Sequence, residues 1–339
     1  MKPKVSVIIP VYNAEAYLPE CVRALCGQTL KEMEFLFVDD GSADGSLGIL
    51  EEARRTDARI RIIPFPENRG VSAARNAGIQ AAEGEFIGFC DADDTVEPEM
   101  YEALLGACQA ADISFCRVFK DRPWGSENVP LGFADGTRFD GEAIRNDLIP
   151  AMLALPKDGD GLPLSGYTPR NLFARNVIGE HRFREDIRYA EDLLFIVTCL
   201  LDAKSAVAVD RAYYHYRFHE GSVTKRFSPY IPDSFDRSNT ALTELIADNG
   251  KCMERMQIRG RKMAVDVVRN FCCPGTPHPF LKRVRLTKAY MQREDVRELF
   301  RDLSLSGLPV RTAVRLGLMK YRMPLVSCLL YSTVFRSRM

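Results

Sequence analysis

Short apolar runs alternate with helical patterns along the chain as far as residue 118. The apolar runs lie at residues 5–9, 35–38, 60–63, 86–89 and 113–118. Helical periodicity lies between them, around residues 17–25, 46–53, 71–82 and 100–107. Short strands that alternate with helices indicate βαβ units, in which helices cover both faces of a parallel sheet. The alternation therefore predicts an α/β fold with a mostly parallel sheet sandwiched by helices.

The pattern changes beyond residue 120. Glycine, proline and aspartate are frequent at 120–166, apolar periodicity returns at 193–201, and a strand-like run follows at 206–209. After residue 227 helical segments are predicted at 235–249, 251–272, 279–291 and 294–304, with glycine and proline between them. We therefore predict an α/β domain over residues 1–225 and a helical region over residues 226–339.

Composition argues against several classes of protein. Lys and Arg total 46, as do Asp and Glu, and this balance argues against nucleic-acid binding. The ten cysteines lack metal-binding spacing and are interpreted as reduced thiols of a cytoplasmic protein. The chain runs straight into a strand-like segment at residues 5–10, so no signal peptide is expected. No apolar run reaches the roughly 18 residues needed to span a bilayer, so no membrane-spanning helix is expected.

Acidic residues follow two of the predicted strands. Asp39 and Asp40 follow the second strand, and Asp91, Asp93 and Asp94 follow the fourth. Because ligands of parallel sheets bind beyond the carboxyl ends of the strands, these carboxylates are expected to converge at one edge. Their repulsion requires a counter-charge, and carboxylate oxygens suit Mg²⁺ or Mn²⁺ with phosphates completing the coordination. The pattern predicts a metal-assisted nucleotide or phosphate site, although turns and helix N-caps have a similar composition.

Other phosphate-binding signatures are missing from the sequence. No G-x-G-x-x-G follows the first strand and no G-x-x-x-x-G-K-[ST] occurs, which argues against a Rossmann dehydrogenase and a P-loop NTPase. A sugar nucleotidyltransferase would carry a loop rich in glycine and basic residues after the first strand. Residues 10–15 contain neither glycine nor lysine. A nucleotidyltransferase and a catalytically silent sugar-nucleotide-binding or scaffold protein are the alternatives that stay open.

Six motifs resemble those of family 2 glycosyltransferases with the GT-A fold. They are Val-Ser-Val-Ile-Ile-Pro-Val-Tyr-Asn at 5–13, Val-Asp-Asp-Gly-Ser at 38–42, Asn-Arg-Gly-Val-Ser-Ala-Ala-Arg-Asn at 68–76, Asp-Ala-Asp-Asp at 91–94, Tyr-Ala-Glu-Asp at 189–192 and Tyr-Arg-Phe-His-Glu-Gly-Ser-Val-Thr at 216–224. They occur in the family's order over residues 4–225. The resemblance implies an inverting enzyme that uses a nucleotide-diphospho-sugar donor with Mg²⁺ or Mn²⁺. Its expected role is polysaccharide, glycan or glycolipid assembly.

The resemblance also implies how the nucleotide is bound. Pro10 and Tyr12 would line the base pocket, with Tyr12 stacked on the ring. Asp40 would accept a hydrogen bond from the imino N–H of the base, which favours a UDP-sugar but also suits thymine or guanine. Asn68 and Arg75 would lie near the nucleotide, with Arg75 placing positive charge beside the diphosphate.

The metal and phosphate contacts are likewise implied by the resemblance. Asp91 would lie near the ribose and Asp93 would bind the metal, with Asp94 as the second choice of ligand. In relatives, the segment that matches residues 216–224 folds back over the diphosphate. His219 would therefore bind the metal or a phosphate, and Ser222 would add a phosphate contact.

The catalytic residues are expected at a predicted helix start. By the resemblance, Asp192 is the general base that takes the proton of the acceptor hydroxyl, and Glu191 orients the acceptor or supports the loop. Without the resemblance, both would be read as acidic residues that favour a helix N-terminus. Relatives often carry Trp and Lys before this pair, whereas residues 167–173 read Tyr-Thr-Pro-Arg-Asn-Leu-Phe and the only tryptophan is Trp124. The acceptor therefore stays open between a glycan and a lipid-linked molecule.

The C-terminal tail combines basic and apolar residues. No acidic residue follows Asp302, whereas basic residues at 311, 315, 320, 322, 336 and 338 flank apolar positions. This pattern is typical of a helix that lies in the membrane interface. Residues 310–339 are therefore predicted to make a peripheral contact at the inner face of the cell membrane. A helix docked on the protein, or a homo-oligomer contact, is the alternative.

Overall fold

The computed structural model of the chain describes residues 2–154, 166–218, 227–273 and 275–333. The chain divides into two compact units. The first comprises Met1–Ile149 and Gly166–His219, and the second comprises Pro150–Ser165 and Glu220–Met339. The single domain boundary near residue 225 stays a prediction, since the second unit also takes in the segment at 150–165.

One mixed sheet of ten strands forms the centre of the first unit, counted over its described residues. The strands are β1 (Val5–Val11), β2 (Met33–Asp39), β3 (Ile60–Pro64), β4 (Phe86–Phe89), β5 (Thr95–Val96), β6 (Ile113–Arg122), β7 (Gly125–Val129), β8 (Arg138–Asp140), β9 (Asn171–Ala174) and β10 (Ser205–Arg217). Their order is β3-β2-β1-β4-β9-β6-β10-β5, with β7 paired to β6 and β8 paired to β10.

The half of the sheet formed by β1 to β4 is parallel. β1 pairs with β2 on one side and β4 on the other, and β3 pairs with β2. All seven residues of β2 and six of the seven in β1 are buried, which is expected where helices cover both faces. The α/β fold predicted from the alternating pattern is confirmed.

The other half of the sheet is mixed. β9 lies between β4 and β6 and is antiparallel to both, with Phe173 opposite Ile87 on one side and Ile113 on the other. β10 runs parallel to β6 but antiparallel to β5 and β8. The sequence did not predict β9, because only two of its four residues, Leu172 and Phe173, are large and apolar, so it lacks the continuous apolar run that marks the other buried strands.

Helices flank the sheet and connect its strands. Up to residue 218 they are α1 (Leu18–Cys26), α2 (Ser46–Thr56), α3 (Val71–Ala81), α4 (Met100–Cys108), α5 (Gly141–Ala143), α6 (Ile149–Leu153), α7 (Arg175–Ile178) and α8 (Glu191–Asp202), with a π-helical turn at Ile144–Leu148 and a 3-10 turn at Thr168–Arg170. α3 follows Gly70, whose φ of 94° lies in the left-handed region that glycine adopts without strain.

The second unit is helical in its described residues after 227, as predicted. Its helices there are α9 (Ile231–Ile246), α10 (Gly250–Cys272), α11 (Phe280–Gln292), α12 (Glu294–Arg301), α13 (Val310–Lys320) and α14 (Pro324–Ser332). One apolar core includes Val268 of α10, Met291 of α11, Phe300 of α12, Leu316 of α13 and Tyr331 of α14. Among the described residues, no helix is both long and apolar enough to cross a membrane.

Candidate active site

Three loops meet at one edge of the sheet because their strands are neighbours. β1 lies between β2 and β4, and all three run in the same direction. The loops that begin after Val11, Asp39 and Phe89 therefore leave the sheet side by side. This arrangement brings together the polar residues that the sequence placed after the first, second and fourth strands.

The loops after β1 and β2 are joined by reciprocal hydrogen bonds. The Asn13 N–H donates to Ser42 Oγ at 3.0 Å, and the Ala43 N–H donates back to Asn13 Oδ1 at 2.8 Å. One turn further on, the Gly45 N–H donates to Glu15 Oε2 at 2.7 Å. These bonds fix the loop that carries Tyr12, whose side chain is 52% exposed.

The Asp40 carboxylate accepts hydrogen bonds from groups within the protein. It is buried, and its donors are Asn68 Nδ2 at 2.9 Å and the backbone N–H groups of Arg69 and Gly70 at 2.7 and 2.9 Å. Asp40 thereby holds the segment that leads into α3, and Asn68 is turned toward it. Neighbouring Asp39 is also buried, and its Oδ1 has no hydrogen-bond partner in the described residues. The sequence placed Asp39 in the acidic cluster but gave it no role.

Arg75 is the centre of a buried network of charges. From α3 its Nη1 lies 2.5 Å from Asp192 and 3.1 Å from Glu191, while its Nη2 lies 3.1 Å from Asp91. Its guanidinium also packs over the ring of Phe183, 5.2 Å from the centroid. Four residues that the sequence singled out separately are therefore in direct contact, across chain separations of up to 117 residues.

The charges in this network shift the pKa values of its members. Burial alone would lower the pKa of Arg75, but the three carboxylates outweigh that effect and raise it. Burial raises the pKa of Asp91 to about 6, where repulsion from Asp93 and Asp192 is opposed by Arg75. Burial and the charge of Asp192 raise the pKa of Glu191 to about 7. One arginine thus leaves the acidic groups incompletely compensated, which fits a site that takes a cation.

Asp94 differs from Asp93 in its surroundings. Its buried carboxylate accepts hydrogen bonds from the Tyr214 hydroxyl at 2.5 Å and from the Arg217 N–H at 2.8 Å. Burial, followed by the charges of Asp91 and Asp93, raises its pKa well above the usual value. Asp93 is only partly buried. Both oxygens of Asp94 therefore already accept a hydrogen bond, and Asp94 is more deeply buried than Asp93.

Tyr214 is a residue of the site that the sequence analysis missed. Its hydroxyl donates to Asp94 and accepts a hydrogen bond from the Asp91 N–H at 3.2 Å. The signal available was the alternation of Tyr214, Tyr216 and Phe218, which marks one face of a strand. His219 and Ser222 lie outside the described residues, and Pro10 lies partly buried near the end of β1. No group of three or more potential metal ligands is already assembled among the described residues.

The fold is α/β with a cluster of carboxylates around one arginine at the edge of its sheet, and sequence comparison identifies the family. Residues 6–146 match the family model "Glycosyl transferase family 2". The chain is 33% identical over 310 residues to the uncharacterized glycosyltransferase EpsJ of Bacillus subtilis, covering 88% of this chain and 87% of that protein. It is also 33% identical over 243 residues to the putative glycosyltransferase EpsH of the same organism, covering 68% and 66%. The chain belongs to glycosyltransferase family 2.

Solved structures agree with this fold. TarS 1–349 of S. aureus in complex with UDP-GlcNAc aligns with a TM-score of 0.65 at 20% identity, covering 98% of this chain and 91% of that one. The mannosyltransferase PcManGT of Pyrobaculum calidifontis, in complex with GDP-Man and Mn²⁺, aligns with a TM-score of 0.54 at 15% identity, covering 98% and 87%. The GT-A fold predicted from the motifs is confirmed, and the chain is a glycosyltransferase.

Proposed function

We propose that the enzyme is a metal-dependent, inverting glycosyltransferase that moves a sugar from a nucleotide-diphospho-sugar to an acceptor hydroxyl. The observation that carries the proposal is the network around Arg75. It joins Asp91, which follows β4 on the predicted donor side, to Glu191 and Asp192, the predicted acceptor-side pair. Donor and general base would then lie within one rigid cluster, as a transfer reaction requires.

Asp192 is proposed as the general base. Arg75 holds its Oδ1, and the side chain is still 20% exposed, so solvent and an acceptor can reach it. Asp192 takes the proton of the acceptor hydroxyl while that oxygen attacks the anomeric carbon. The bond from this carbon to the diphosphate oxygen breaks on the opposite side, and the nucleoside diphosphate leaves with the electron pair. Glu191 supports the ion pair between Asp192 and Arg75 through its own contact with the Arg75 guanidinium.

Asp93 is proposed as the metal ligand, with Asp94 as the alternative and His219 as an additional ligand or phosphate contact. When bound, Mg²⁺ or Mn²⁺ would neutralise charge that develops on the leaving group. The incompletely compensated carboxylates support this assignment. The use of Mn²⁺ by PcManGT, as described for that complex, supports it as well.

A thermal-shift titration with UDP in the presence and absence of Mn²⁺ tests the metal site. We expect Asp93→Ala to remove the Mn²⁺-dependent part of UDP binding while the protein stays folded. Asp94→Asn is the matched control, because it should lower the melting temperature without removing that binding. The reverse result would move the ligand to Asp94. Release of pyrophosphate from UTP and a sugar 1-phosphate, with no release of UDP from a UDP-sugar, would indicate a nucleotidyltransferase.

A UDP-sugar is proposed as the donor, with Asp40 as the acceptor for the imino N–H of the base. UDP and UDP-GlcNAc bound to TarS support uridine. Pro10 and Tyr12 would line the same pocket, while Asn68, Arg75 and Ser222 would face the sugar-phosphate part. Asp39 is the alternative for the base contact, because its Oδ1 is buried without a partner in the described chain. Loss of UDP binding in Asp39→Asn, but not in Asp40→Asn, would transfer the role to Asp39.

The proposed setting is glycan or glycolipid assembly at the cytoplasmic face of the membrane. α13 and α14 expose apolar side chains, with Val310 82%, Leu325 52% and Leu329 48% exposed. Both helices also contribute to the core of the second unit, so truncation would damage it. We expect Leu325→Gln with Leu329→Gln to reduce co-sedimentation with anionic vesicles, and Leu47→Gln in α2 to leave it unchanged. Equal sedimentation of the two variants would remove the membrane role.

A further inference from the structure

A row of aromatic side chains extends along one face of β10 from the candidate active site. Side chains two residues apart on a strand share a face, so Tyr214 and Tyr216 lie on the same side, and Phe218 directly follows the last residue of the strand. The Tyr214 hydroxyl contacts Asp94 and the backbone of Asp91, as described above. Tyr216 is therefore two residues along the strand from a side chain that contacts the loop proposed to bind donor and metal.

The row is extended by contacts between elements that are distant in sequence. The ring of Tyr167 lies against Tyr216, with the centroids 5.2 Å apart, and Tyr216 meets Phe218 edge to face at 6.4 Å. The Arg122 guanidinium lies over Phe218 at 5.1 Å and over Trp124 at 5.8 Å. Four rings and one guanidinium thus form a continuous series that ends at Trp124. We call this set, Tyr167, Tyr216, Phe218, Arg122 and Trp124, the aromatic row.

The inner end of the aromatic row adjoins the proposed general base. A Cβ placed on Gly166 would lie 2.7 Å from Leu193 Cβ, so the chain at Gly166 packs directly against the first turn of α8. That turn carries Asp192. Burial raises the pKa of the Tyr167 hydroxyl to about 12, and the charges of Asp94 and Asp192 act in the same direction. Tyr167 is therefore close to the carboxylates where transfer would take place.

The outer end of the aromatic row is open to solvent. Arg122 and Gly125 pair across β6 and β7, so Pro123 and Trp124 form the turn of a hairpin. Trp124 is 74% exposed, although an indole ring is among the largest apolar groups that a chain carries. The cation–π contact with Arg122 restrains the ring at this position. Tryptophan is enriched at binding interfaces, because its ring buries a large apolar area while its N–H can still reach a hydrogen-bond partner.

We propose that the aromatic row binds the acceptor as an extended carbohydrate chain, with its reacting end at Asp192 and more distant sugars against Phe218 and Trp124. The C–H faces of sugar rings pack on aromatic faces, and hydroxyl groups at their edges stay hydrated. A row that begins near the proposed general base, Asp192, and ends in solvent suits a polymer rather than a single sugar. The inference rests on the proposed transferase function and names the acceptor class for it.

The fluorescence of Trp124 can report on saccharide binding, because Trp124 is the only tryptophan in the chain. Its emission can be followed during titration with chitohexaose, cellohexaose and maltohexaose, each compared with its monosaccharide, with and without UDP and Mn²⁺. We expect a saturable change with at least one hexasaccharide. That hexasaccharide should bind about tenfold or more tightly than its monosaccharide, since each added ring contact contributes to affinity.

Variants separate stacking from a general effect on the fold. By calorimetry, Trp124→Ala and Phe218→Leu should weaken binding of the responsive hexasaccharide about five- to tenfold, whereas Trp124→Phe should retain most of it. Tyr321→Ala is the matched control, because Tyr321 is an aromatic residue of the second unit that is 65% exposed. Binding by this control should equal that of the unmodified enzyme.

The outcomes distinguish this inference from the proposed function. An unchanged Trp124 emission with all three hexasaccharides would overturn the carbohydrate site, as would equal binding by Trp124→Ala. A response to dodecyl-phosphocholine micelles alone would assign the surface to a lipid instead. Failure of the unmodified enzyme to bind UDP with Mn²⁺ would overturn the proposed donor site. Saccharide binding measured without UDP would still decide the role of the aromatic row.

Discussion

The two halves of the sheet obtain their functional residues in different ways. In the parallel half, each strand is followed within a few residues by the side chains it presents, such as Asp40 after β2 and Asp91 after β4. In the mixed half, β9 and β10 bring together residues from distant parts of the chain, such as Tyr167, Tyr216 and Trp124. The first arrangement can be predicted from local motifs, whereas the second depends on pairing that only folding establishes.

Arg75 connects residues of the parallel half to residues that only folding brings close. It belongs to α3 in the parallel half, yet two of its three ion-pair partners, Glu191 and Asp192, begin the helix α8. Correct placement of the donor-side residues would therefore not be sufficient for catalysis unless α8 also docks correctly. Variants that act on this connection should have larger effects than variants within either half.

The largest effect is expected for Arg75→Met, which keeps much of the side-chain length but removes the charge. Three carboxylates would lose their common cation in a buried site. The free energy of unfolding should fall by about 3–5 kcal/mol, as expected when one partner of a buried ion pair is removed. Urea denaturation of the metal-free protein measures this loss. A loss no larger than that of the exposed pair variant Arg55→Met would show that the two halves are not coupled through Arg75.

The next largest effect is expected for Asp192→Asn. The amide keeps the shape of the side chain but accepts no proton, so turnover should fall by about 10² or more. Affinity for UDP with Mn²⁺ should change little, because that binding belongs to the parallel half. Initial rates with saturating donor, beside a UDP titration, test both parts. Normal turnover would reduce Asp192 to an acidic residue at the start of α8.

A pH-dependent effect is expected for Glu191→Gln. Because burial raises the pKa of Glu191 from 4.5 to about 7, the folded enzyme keeps this proton after the unfolded chain has lost it. Glu191 therefore lowers stability progressively as the pH rises from 4.5 to 7. Over this range the stability of Glu191→Gln relative to the unmodified protein should rise on the order of 2 kcal/mol. Parallel pH profiles of the two proteins would contradict the prediction.

The smallest effect is expected within the parallel half, for Ser42→Ala. This change removes the acceptor of the exposed Asn13 N–H and leaves the return bond from Ala43 to Asn13 intact. The cost should be about 0.5–1 kcal/mol, because water can replace the lost acceptor. Thermal unfolding and a UDP titration should both show only small changes. A loss comparable with that of Arg75→Met would mean that the loops are as critical as the buried network.

The sequence identified most of the strands and helices that the structure contains in the parallel half. Residues 60–63 and 86–89 coincide with β3 and β4 to within a residue, because continuous apolar runs mark strands buried on both faces. It did not identify β5, β7, β8 or β9. β7 consists of exposed and partly exposed residues, so its sequence carries no hydrophobic pattern, and pairing with β6 alone makes it a strand.

The residues of the candidate active site also divide into those that a local motif identifies and those that depend on folding. Asp91, Arg75, Glu191 and Asp192 were found by motif, but the motif could not show that one guanidinium contacts all three carboxylates. Tyr214 was missed, because its importance comes from a hydroxyl that reaches Asp94 across 120 residues of sequence. The predicted diphosphate contact of Arg75 stays a prediction.

Local patterns in the amino-acid sequence were enough to predict the class of fold, the family and the chemical types gathered at the edge of the sheet. These follow from local patterns, because a strand, its loop and its helix are continuous in the chain. The folded chain was needed to show which carboxylates share Arg75, which oxygens of Asp94 accept hydrogen bonds and how Trp124 is connected to Tyr167. Those contacts join segments separated by tens of residues, and their energies depend on burial and pairing that exist only after the chain has folded.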